Sequence, residues 1–291
     1  MVSLRPLLLQ LYYSAQYPYR HWRNARWAAA GRAPVMVLCY HRVADDRATP
    51  WTQSNRSFAR QMTWLKRNFD MVSLAEAQRR IRFGRNHRAA VSVTFDDGYA
   101  VNCDYALPLL LREQIPCTYF VSTRNVLEGR SFDHDLATGN SLAPNTRDEL
   151  RSLADAGVEI GVHTRTHANL GQITDVDQLR DEIVGSAEEL VEAIDRPARY
   201  FAFPYGRLGN LNAAAFAIGK EYGYEGMCSA YGGFNFPGDD SFHLQRITVD
   251  ELSIRVKNWV TLDPRKLRSV HRFEYESTEA DCLATVGANA S

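Results

Sequence analysis

Short apolar runs rich in β-branched and aromatic residues alternate along the chain with amphipathic segments of helical period. The clearest runs cover residues 35–40, 89–95, 117–121, 158–162 and 199–203, and each predicts a buried strand. Two more strands are predicted near 226–230 and 244–249. Strands that alternate with helices at this spacing indicate an α/β fold with a parallel sheet.

The segments between the strands carry helix signals. Ser73 is a predicted N-cap for a helix over 74–81, and Thr146 with Glu149 three residues later has the pattern of a capping box. Further helices are predicted over 58–68, 101–113 and 174–194. Residues 124–145 lack this period and are predicted to form an irregular loop.

The first 33 residues differ from the rest and predict a basic, aromatic helical extension. Four arginines are interspersed with tyrosines and tryptophans: Arg5, Arg20, Arg23 and Arg26 with Tyr12, Tyr13, Tyr17, Tyr19, Trp22 and Trp27. No run approaches the ~20 apolar residues of a membrane span, and no clear secretory signal is present. We expect a location in the cytoplasm or peripheral to a membrane. A helix packed on the domain's own surface is favoured, and peripheral membrane contact through residues 1–30 is the alternative.

Composition narrows the class of protein. Lys+Arg and Asp+Glu both number 34, so no global positive charge favours a nucleic-acid partner. The five cysteines form no CxxC pair, which predicts reduced, buried thiols rather than a disulfide framework or a zinc ribbon. The predicted organisation is the extension over 1–33, a catalytic domain over 34–262 and a partly disordered tail over 263–291.

Two polar motifs follow predicted strands. His163 and His167 are four residues apart, and both imidazoles can point at one centre if the segment makes a helix-like turn. Asp96 and Asp97 come directly after the strand at 89–95, and Gly98 follows them. A solvated turn is the alternative for the acidic pair, but the end of so apolar a strand is a costly place for two unpaired carboxylates.

These motifs together indicate catalytic metal chemistry. Two histidines and one aspartate leave coordination positions open, as in catalytic rather than structural zinc sites. A bound ion would lower the pKa of water and polarise a carbonyl, and the neighbouring carboxylate would accept the proton of the water. Zinc is the expected metal, and cobalt, nickel, manganese and iron are compatible with the same ligands.

The order of motifs resembles one family. TFDDGY (94–99), then HTRTH (163–167), then FPYG (203–206) is similar to the polysaccharide deacetylases, the NodB-homology enzymes of carbohydrate esterase family four. The resemblance covers roughly residues 35–250. It implies a distorted (β/α)7 barrel and a hydrolase that removes N-acetyl groups from a GlcNAc-containing polysaccharide or glycan.

The resemblance also implies roles for residues of this chain. Asp97, His163 and His167 would bind the metal, and Asp96 would be the general base. Tyr205 would donate its backbone N–H to the oxyanion. Pro204 is predicted to contact the substrate. Aromatic residues near the site could stack on sugar faces, or could equally pack in the core or a loop: Tyr99, Trp51, Tyr231, Phe234 and Phe236.

Two departures from the family pattern change this assignment. Many members have an arginine where this chain has Ala202, and Arg246 could supply that charge from another strand, or be an ordinary surface arginine. No clean late Leu-x-His motif follows residue 206. The segment Leu38–Val43 instead resembles the exopolysaccharide (poly-β-1,6-GlcNAc) deacetylase branch, in which an early histidine is the general acid, so His41 is predicted in that role. A buried histidine bonded to backbone is the alternative.

Other functions stay open at this stage. An O-acetyl carbohydrate esterase would use the same residues with a different leaving group, and a non-catalytic carbohydrate-binding protein could share the fold. The substrate could be exopolysaccharide, peptidoglycan, chitin or a lipid-linked sugar.

Overall fold

The computed structural model describes residues 4–269 and 272–275. The strands are β1 Val35–Tyr40, β2 Arg42–Val43, β3 Thr52–Gln53, β4 Asp70–Met71, β5 Ala90–Phe95, β6 Cys117–Val121, β7 Glu159–Val162, β8 Tyr200–Ala202, β9 Gly226–Cys228, β10 His243–Leu244 and β11 Arg246–Thr248. The helices are α1 Arg5–Ala29, α2 Asn55–Asn68, α3 Leu74–Arg82, α4 Ala106–Arg112, α5 Thr123–Glu128, α6 Asp133–Leu136, α7 Arg147–Asp155, α8 Val176–Arg180, α9 Ser186–Ile194, α10 Ala213–Tyr222, α11 Ser253–Val260 and α12 Pro264–Ser269.

One parallel sheet forms the centre of the molecule. Its strand order is β10-β9-β8-β7-β6-β5-β1-β11, and β4 pairs with β5 outside this path. Every pairing in the sheet is parallel. The sheet curls into a nearly closed barrel surrounded by helices, which confirms the predicted distorted (β/α)7 barrel.

Strands β1 and β5 are buried along their whole length and pair from Val35↔Ala90 to Tyr40↔Phe95. Because side chains alternate across a strand, one set from each faces the surrounding helices and the other faces the barrel interior. Val35 and Val37 belong to an inner cluster that also contains residues of α3, whereas Met36 and Leu38 join the larger outer core. The register also means that both strands end together, so His41 and Asp96 begin at one edge of the sheet.

Several predicted elements differ in detail. Residues 124–145 are not an irregular loop throughout, because α6 and most of α5 lie within this segment. Helix α2 begins before the predicted residue 58, since the Ser54 side chain accepts a hydrogen bond from the Ser57 amide. The predicted helix over 101–113 is a 3-10 turn followed by α4. The helix over 174–194 contains a π-helical turn at Asp181–Gly185 between α8 and α9.

The first and last segments that the structure describes both contact the barrel domain. The predicted extension is the 25-residue helix α1, which packs against α11. Within the predicted tail, α12 is ordered helix and Phe273 stacks on Phe216 at 5.8 Å, while residues 270–271 and 276–291 lie outside the described residues. Cys39, Cys103, Cys117 and Cys228 are free thiols, as predicted, and Cys282 is not among the described residues. Among the described helices, none is long and apolar enough to cross a membrane.

Candidate active site and metal centre

Strand alternation and register bring several polar side chains into the barrel interior. Val37 pairs with Ser92 on one side and with Arg246 on the other. Two residues further along β1 and β5, the same interior positions are Cys39 and Thr94, and Asp96 follows at the strand end. All of these side chains are buried. The interior is therefore apolar at the amino end of the strands and polar at their carboxyl end, where parallel α/β folds build their sites.

The turn after β5 separates the two adjacent carboxylates. Asp97 has a left-handed φ of 75° and Gly98 a φ of 86°. A Cβ atom at position 98 would lie 2.9 Å from Cγ1 of Val121, so this turn needs glycine for space as well as for conformation. The turn directs the Asp96 side chain towards Arg246 and the Asp97 side chain towards the histidines. Each of the two residues is only 2% exposed to solvent.

The His163–His167 segment forms an irregular turn rather than the helix-like turn that sequence spacing suggested. Thr164 and His167 have left-handed φ values of 61° and 59°. Glu182, from the π-helical turn, stabilises this conformation. Its carboxylate accepts hydrogen bonds from the amides of Arg165 and Thr166, both at 2.9 Å, and from the Thr166 hydroxyl at 2.5 Å. π-helical turns are frequent at functional sites.

Asp97, His163 and His167 form a cluster that fits a divalent ion. Oδ1 of Asp97 lies 3.5 Å from Nε2 of His163 and 3.2 Å from Nε2 of His167. This oxygen is buried and has no hydrogen bond of acceptable geometry within the described part of the chain. Three ligand atoms, one from each residue, lie within 4.8 Å of one another. A buried, unsatisfied acceptor beside two imidazole nitrogens is the donor set that a cation would satisfy.

The protonation states of these ligands also fit a metal. Nδ1 of His163 lies 2.8 Å from the carbonyl oxygen of Ala202, and an N–H there leaves Nε2 with its lone pair. Burial lowers the pKa of His163 to about 4, so the ring is neutral at neutral pH. Burial alone would raise the pKa of Asp97, but the neighbouring His167, His41 and His163 outweigh it and the net direction is down. Asp97 is therefore a carboxylate.

Asp96 is bound to Arg246 in a bidentate ion pair. Nη1 and Nη2 of Arg246 donate to the two Asp96 oxygens at 2.6 and 2.8 Å. Arg246 also donates to the Ser229 carbonyl and the Thr94 hydroxyl, and it is fully buried. It is thus not an ordinary surface arginine. Burial raises the pKa of Asp96, but Arg246 and His163 reverse this effect, so the net shift is down and the carboxylate stays ionised.

Cys39 contacts the same carboxylate. Its thiol lies 3.1 Å from Oδ2 of Asp96, and burial holds the thiol pKa well above its usual range. A protonated thiol that donates to Asp96 is a poor metal ligand. Cys39, His41 and Asp96 also have ligand atoms within 4.8 Å of one another. Because Asp96 is already bound by Arg246 and Cys39, the histidine-rich cluster is the better metal site.

His41 stands at the end of β1 beside the metal cluster. Asn102 holds the backbone on both sides of it: Nδ2 donates to the His41 carbonyl at 2.7 Å, and Oδ1 accepts from the Val43 amide at 2.9 Å. The ring nitrogen of His41 is within 4.8 Å of an Asp96 oxygen. Its side chain is partly exposed to the cleft, as a proton donor to substrate must be.

A cleft of about 800 Å³ opens over these groups. Trp51 and His134 form one wall, with ring centroids 4.9 Å apart and the His134 ring 5.1 Å from that of His167. Tyr205 forms part of another wall, has a left-handed φ of 61° and is 54% exposed. The cleft thus combines aromatic surface with a charged floor, which suits a sugar ring with polar substituents.

Two of the predicted substrate contacts are corrected by the structure. Tyr99 is completely buried, and its hydroxyl contacts Trp51, His134 and Asp135. It supports the cleft wall from behind instead of lining it. Pro204 is also buried and is not among the lining residues, whereas the next residue, Tyr205, is exposed. The strand end orients these neighbours in opposite directions.

Sequence reasoning missed three residues that shape the site, namely Glu182, Asn102 and His134. Glu182 and Asn102 have buried polar side chains, which in a soluble domain require partners. In the sequence, Glu182 stands next to Ile183, which faces inward from an amphipathic helix. That position could have indicated a buried carboxylate. His134 had no comparable signal, because only the fold of 124–145 brings it to the cleft.

The site lies at the carboxyl end of a parallel barrel and combines a His/His/Asp cluster with a carboxylate that is bound by an arginine. This combination is typical of a hydrolase built on an α/β barrel. Residues 84–227 match the polysaccharide deacetylase family, and this range includes Asp96, Asp97, His163, His167 and Tyr205 but neither His41 nor Arg246. Residues 84–227 therefore form a polysaccharide deacetylase domain, of the NodB-homology type that the motifs predicted. The match confirms the expected enzyme class, that of a carbohydrate deacetylase.

Individual relatives support the resemblance to the exopolysaccharide branch. The poly-beta-1,6-N-acetyl-D-glucosamine N-deacetylase of Staphylococcus epidermidis is 25% identical over 225 residues, which is 74% of this chain and 75% of that enzyme. The solved structure of IcaB from Ammonifex degensii superposes with a TM-score of 0.66 at 25% identity, covering 78% of this chain and 97% of that one. YxkH of Bacillus subtilis, whose name assigns it provisionally to the polysaccharide deacetylases, is 23% identical over 195 residues. That match spans 66% of this chain and 63% of YxkH, which is less than two thirds of its length.

Proposed function

We propose that this protein is a metal-dependent N-deacetylase of a GlcNAc-containing polysaccharide or glycoconjugate, with poly-β-1,6-GlcNAc as the first substrate to test. The observation that carries the proposal is the buried, unpartnered Oδ1 of Asp97 between His163 and His167, next to the Asp96–Arg246 pair. The name of the staphylococcal relative supports the choice of substrate.

Asp97, His163 and His167 would hold one divalent ion, of which zinc is the default for this donor set. When bound, the ion would supply Lewis-acid chemistry at the acetyl carbonyl. The residues around it supply the rest. Water forms the new C–O bond, and a carboxylate oxygen of Asp96 accepts the proton that the water loses. Arg246 holds that carboxylate in one orientation, so the Asp96 side chain does not have to change rotamer before it accepts the proton.

The C–N bond then breaks, and the nitrogen needs a proton to leave as an amine. His41 is the proposed donor, because its ring lies at the cleft on the neighbouring strand end. The backbone N–H of Tyr205 is the proposed oxyanion donor, which stabilises charge that develops only in the transition state. The products are acetate and a free amine on the sugar.

Acetate release from β-1,6-linked GlcNAc oligosaccharides tests this proposal, with O-acetylated sugars as the parallel substrate. We expect release from the N-acetylated oligosaccharide, its loss with a chelator, and its return when Zn²⁺ or Co²⁺ is added back. Release from the O-acetylated sugars alone would assign an esterase. Binding of the oligosaccharide without release of acetate, with metal bound, would assign a carbohydrate-binding protein.

A further inference from the structure

Helix α1 exposes its apolar residues on the side that faces away from the barrel domain. Leu4, Leu7, Leu8 and Leu11 are between 57% and 70% exposed. Ala15, Pro18 and Trp22 are exposed further along the helix. Positions 4, 8, 11, 15, 18 and 22 recur at helical spacing, so they form one stripe. We call Leu4, Leu7, Leu8 and Leu11 the leucine stripe.

The opposite face of α1 makes the contacts with the domain. Its two buried side chains are arginines, and Trp27 packs edge-on against Phe236 with ring centroids 5.5 Å apart. Arg20 donates to the Asn258 carbonyl at 3.3 Å and to the Thr261 hydroxyl at 3.1 Å. Arg23 donates to the Leu262 carbonyl at 2.5 Å. Both arginines are buried against the end of α11, where they satisfy carbonyl groups. The leucine stripe therefore takes no part in attaching the helix to the domain. In a typical surface helix the apolar stripe faces the core, whereas here it faces away from it.

Helix α1 is positively charged, and a basic cleft lies between it and the domain. No acidic residue precedes Asp45 in the sequence. A cleft between α1 and helices α11 and α12 is lined by four basic residues and two acidic ones, a formal excess of two positive charges: Arg5, Arg255, Arg265 and Lys266 against Asp250 and Asp263. Arg26 is exposed at the other end of α1, with its guanidinium 5.7 Å from the Trp22 ring.

We propose that α1 docks the protein onto the surface of an anionic phospholipid bilayer. The leucine stripe enters the boundary between headgroups and acyl chains, and the exposed Arg5 and Arg26 of α1 contact the phosphates. Tyr17, Tyr19 and Trp22 are exposed on the same helix and have the amphipathic rings that favour this boundary. A second copy of the chain fits less well, because two such surfaces would bring like charges together.

The basic cleft adjoins the proposed active site. Thr248 lines both the basic cleft and the catalytic cleft. Arg5 and Leu9, near the amino-terminal end of α1, line the same basic cleft. The amino-terminal end of α1 and the catalytic cleft therefore lie on neighbouring parts of the molecule. The docking itself does not depend on the proposed function.

Vesicle co-sedimentation of the full-length protein tests the proposal. The vesicles are phosphatidylcholine alone and phosphatidylcholine mixed with phosphatidylglycerol. The test variant is Leu4→Gln/Leu8→Gln/Leu11→Gln, since glutamine keeps helix propensity and removes the apolar surface. The matched control is Phe83→Gln/Leu111→Gln/Val176→Gln, which removes three exposed apolar side chains from other surfaces. Circular dichroism checks that both variants are folded.

We expect the wild type and the control to bind the mixed vesicles more tightly than phosphatidylcholine. Added salt should weaken this preference. The stripe variant should lose at least about tenfold in partition coefficient, because each buried leucine contributes more than a tenfold preference when fully transferred from water. Equal binding by the stripe variant and the wild type, or no binding by the wild type, would overturn the proposal. Lipid-free self-association that only the stripe variant abolishes would assign the surface to a second copy instead.

Discussion

Arg246 binds both carboxylate oxygens of Asp96 across 150 residues of sequence, at 2.6 and 2.8 Å, and the pair is closed off from solvent. In the family pattern an arginine stands where this chain has Ala202, at the end of β8, and the carbonyl oxygen of Ala202 lies beside His163. The charge that orients Asp96 therefore comes from β11, next to β1, and the guanidinium packs inside the barrel 5.2 Å from the Phe120 ring.

Removing this arginine should damage both stability and activity. Arg246→Met leaves a buried carboxylate without its partner, which costs about 3–5 kcal/mol in the free energy of unfolding. Urea denaturation measures this loss. In the double variant Asp96→Asn/Arg246→Met no uncompensated charge remains, so it should be more stable than Arg246→Met. If the two variants are equally stable, the pair is not coupled as the distances indicate.

Arg246→Lys separates charge from geometry. Lysine keeps the positive charge but cannot donate the two parallel hydrogen bonds of a guanidinium. We expect kcat for acetate release to fall by about tenfold or more with little change in KM, because Asp96 loses its fixed orientation while the cleft is unaltered. Unchanged kcat would show that orientation by Arg246 is not needed.

Asp97→Ala should abolish stoichiometric metal binding, because it removes the only carboxylate of the proposed ligand set. Metal content after dialysis against a weak chelator is the measurement. His87→Ala is the control, since His87 is an exposed histidine outside the cluster. Full metal occupancy in Asp97→Ala, with the control unchanged, would mean that the ligand set is wrong.

His41→Ala should keep its metal but lose activity. General acid catalysis contributes about 10²- to 10⁴-fold, so kcat should fall by that factor while metal content stays at the wild-type level. The amide substrate should suffer more than an activated ester, because an alkoxide or phenolate leaves without a proton more readily than an amine does. Near-normal turnover of the amide in this variant would rule out the acid role.

Glu182→Gln tests a positioning residue. Glutamine has one acceptor oxygen in place of the two that receive the Arg165 and Thr166 hydrogen bonds, so the ligand turn should loosen. We expect metal affinity to weaken by about 10- to 100-fold and kcat to recover at saturating metal. Glu188→Gln, an exposed glutamate on α9, is the matched control. A variant whose kcat stays low at saturating metal, with normal affinity, would contradict this role.

The five strands read from apolar runs at 35–40, 89–95, 117–121, 158–162 and 199–203 are all present within a residue or two of the predicted bounds. Strands that are buried on both faces are easy to recognise in a sequence, because their hydrophobic residues follow one another without interruption. The helices of segment 124–145 were harder to predict, because α6 has only four residues, which are too few to show a helical period. The break between β10 and β11 at Gln245 could not be predicted either, because the predicted strand over 244–249 contains neither glycine nor proline to mark it.

Sequence alone determined the chemical inventory of this protein. The residue types, their position after buried strands and their order along the chain predicted a parallel sheet, the Asp97, His163 and His167 cluster, and Asp96 beside it, while the family resemblance implied that the sheet closes into a barrel. Only the tertiary structure decided which distant groups meet. Barrel closure and strand register bring Arg246 to Asp96, the π-helical turn brings Glu182 under the histidine turn, and the packing of α1 turns its leucines outward. These contacts depend on the direction of each side chain and on the packing of residues that are far apart in sequence. Local periodicity predicts neither of them.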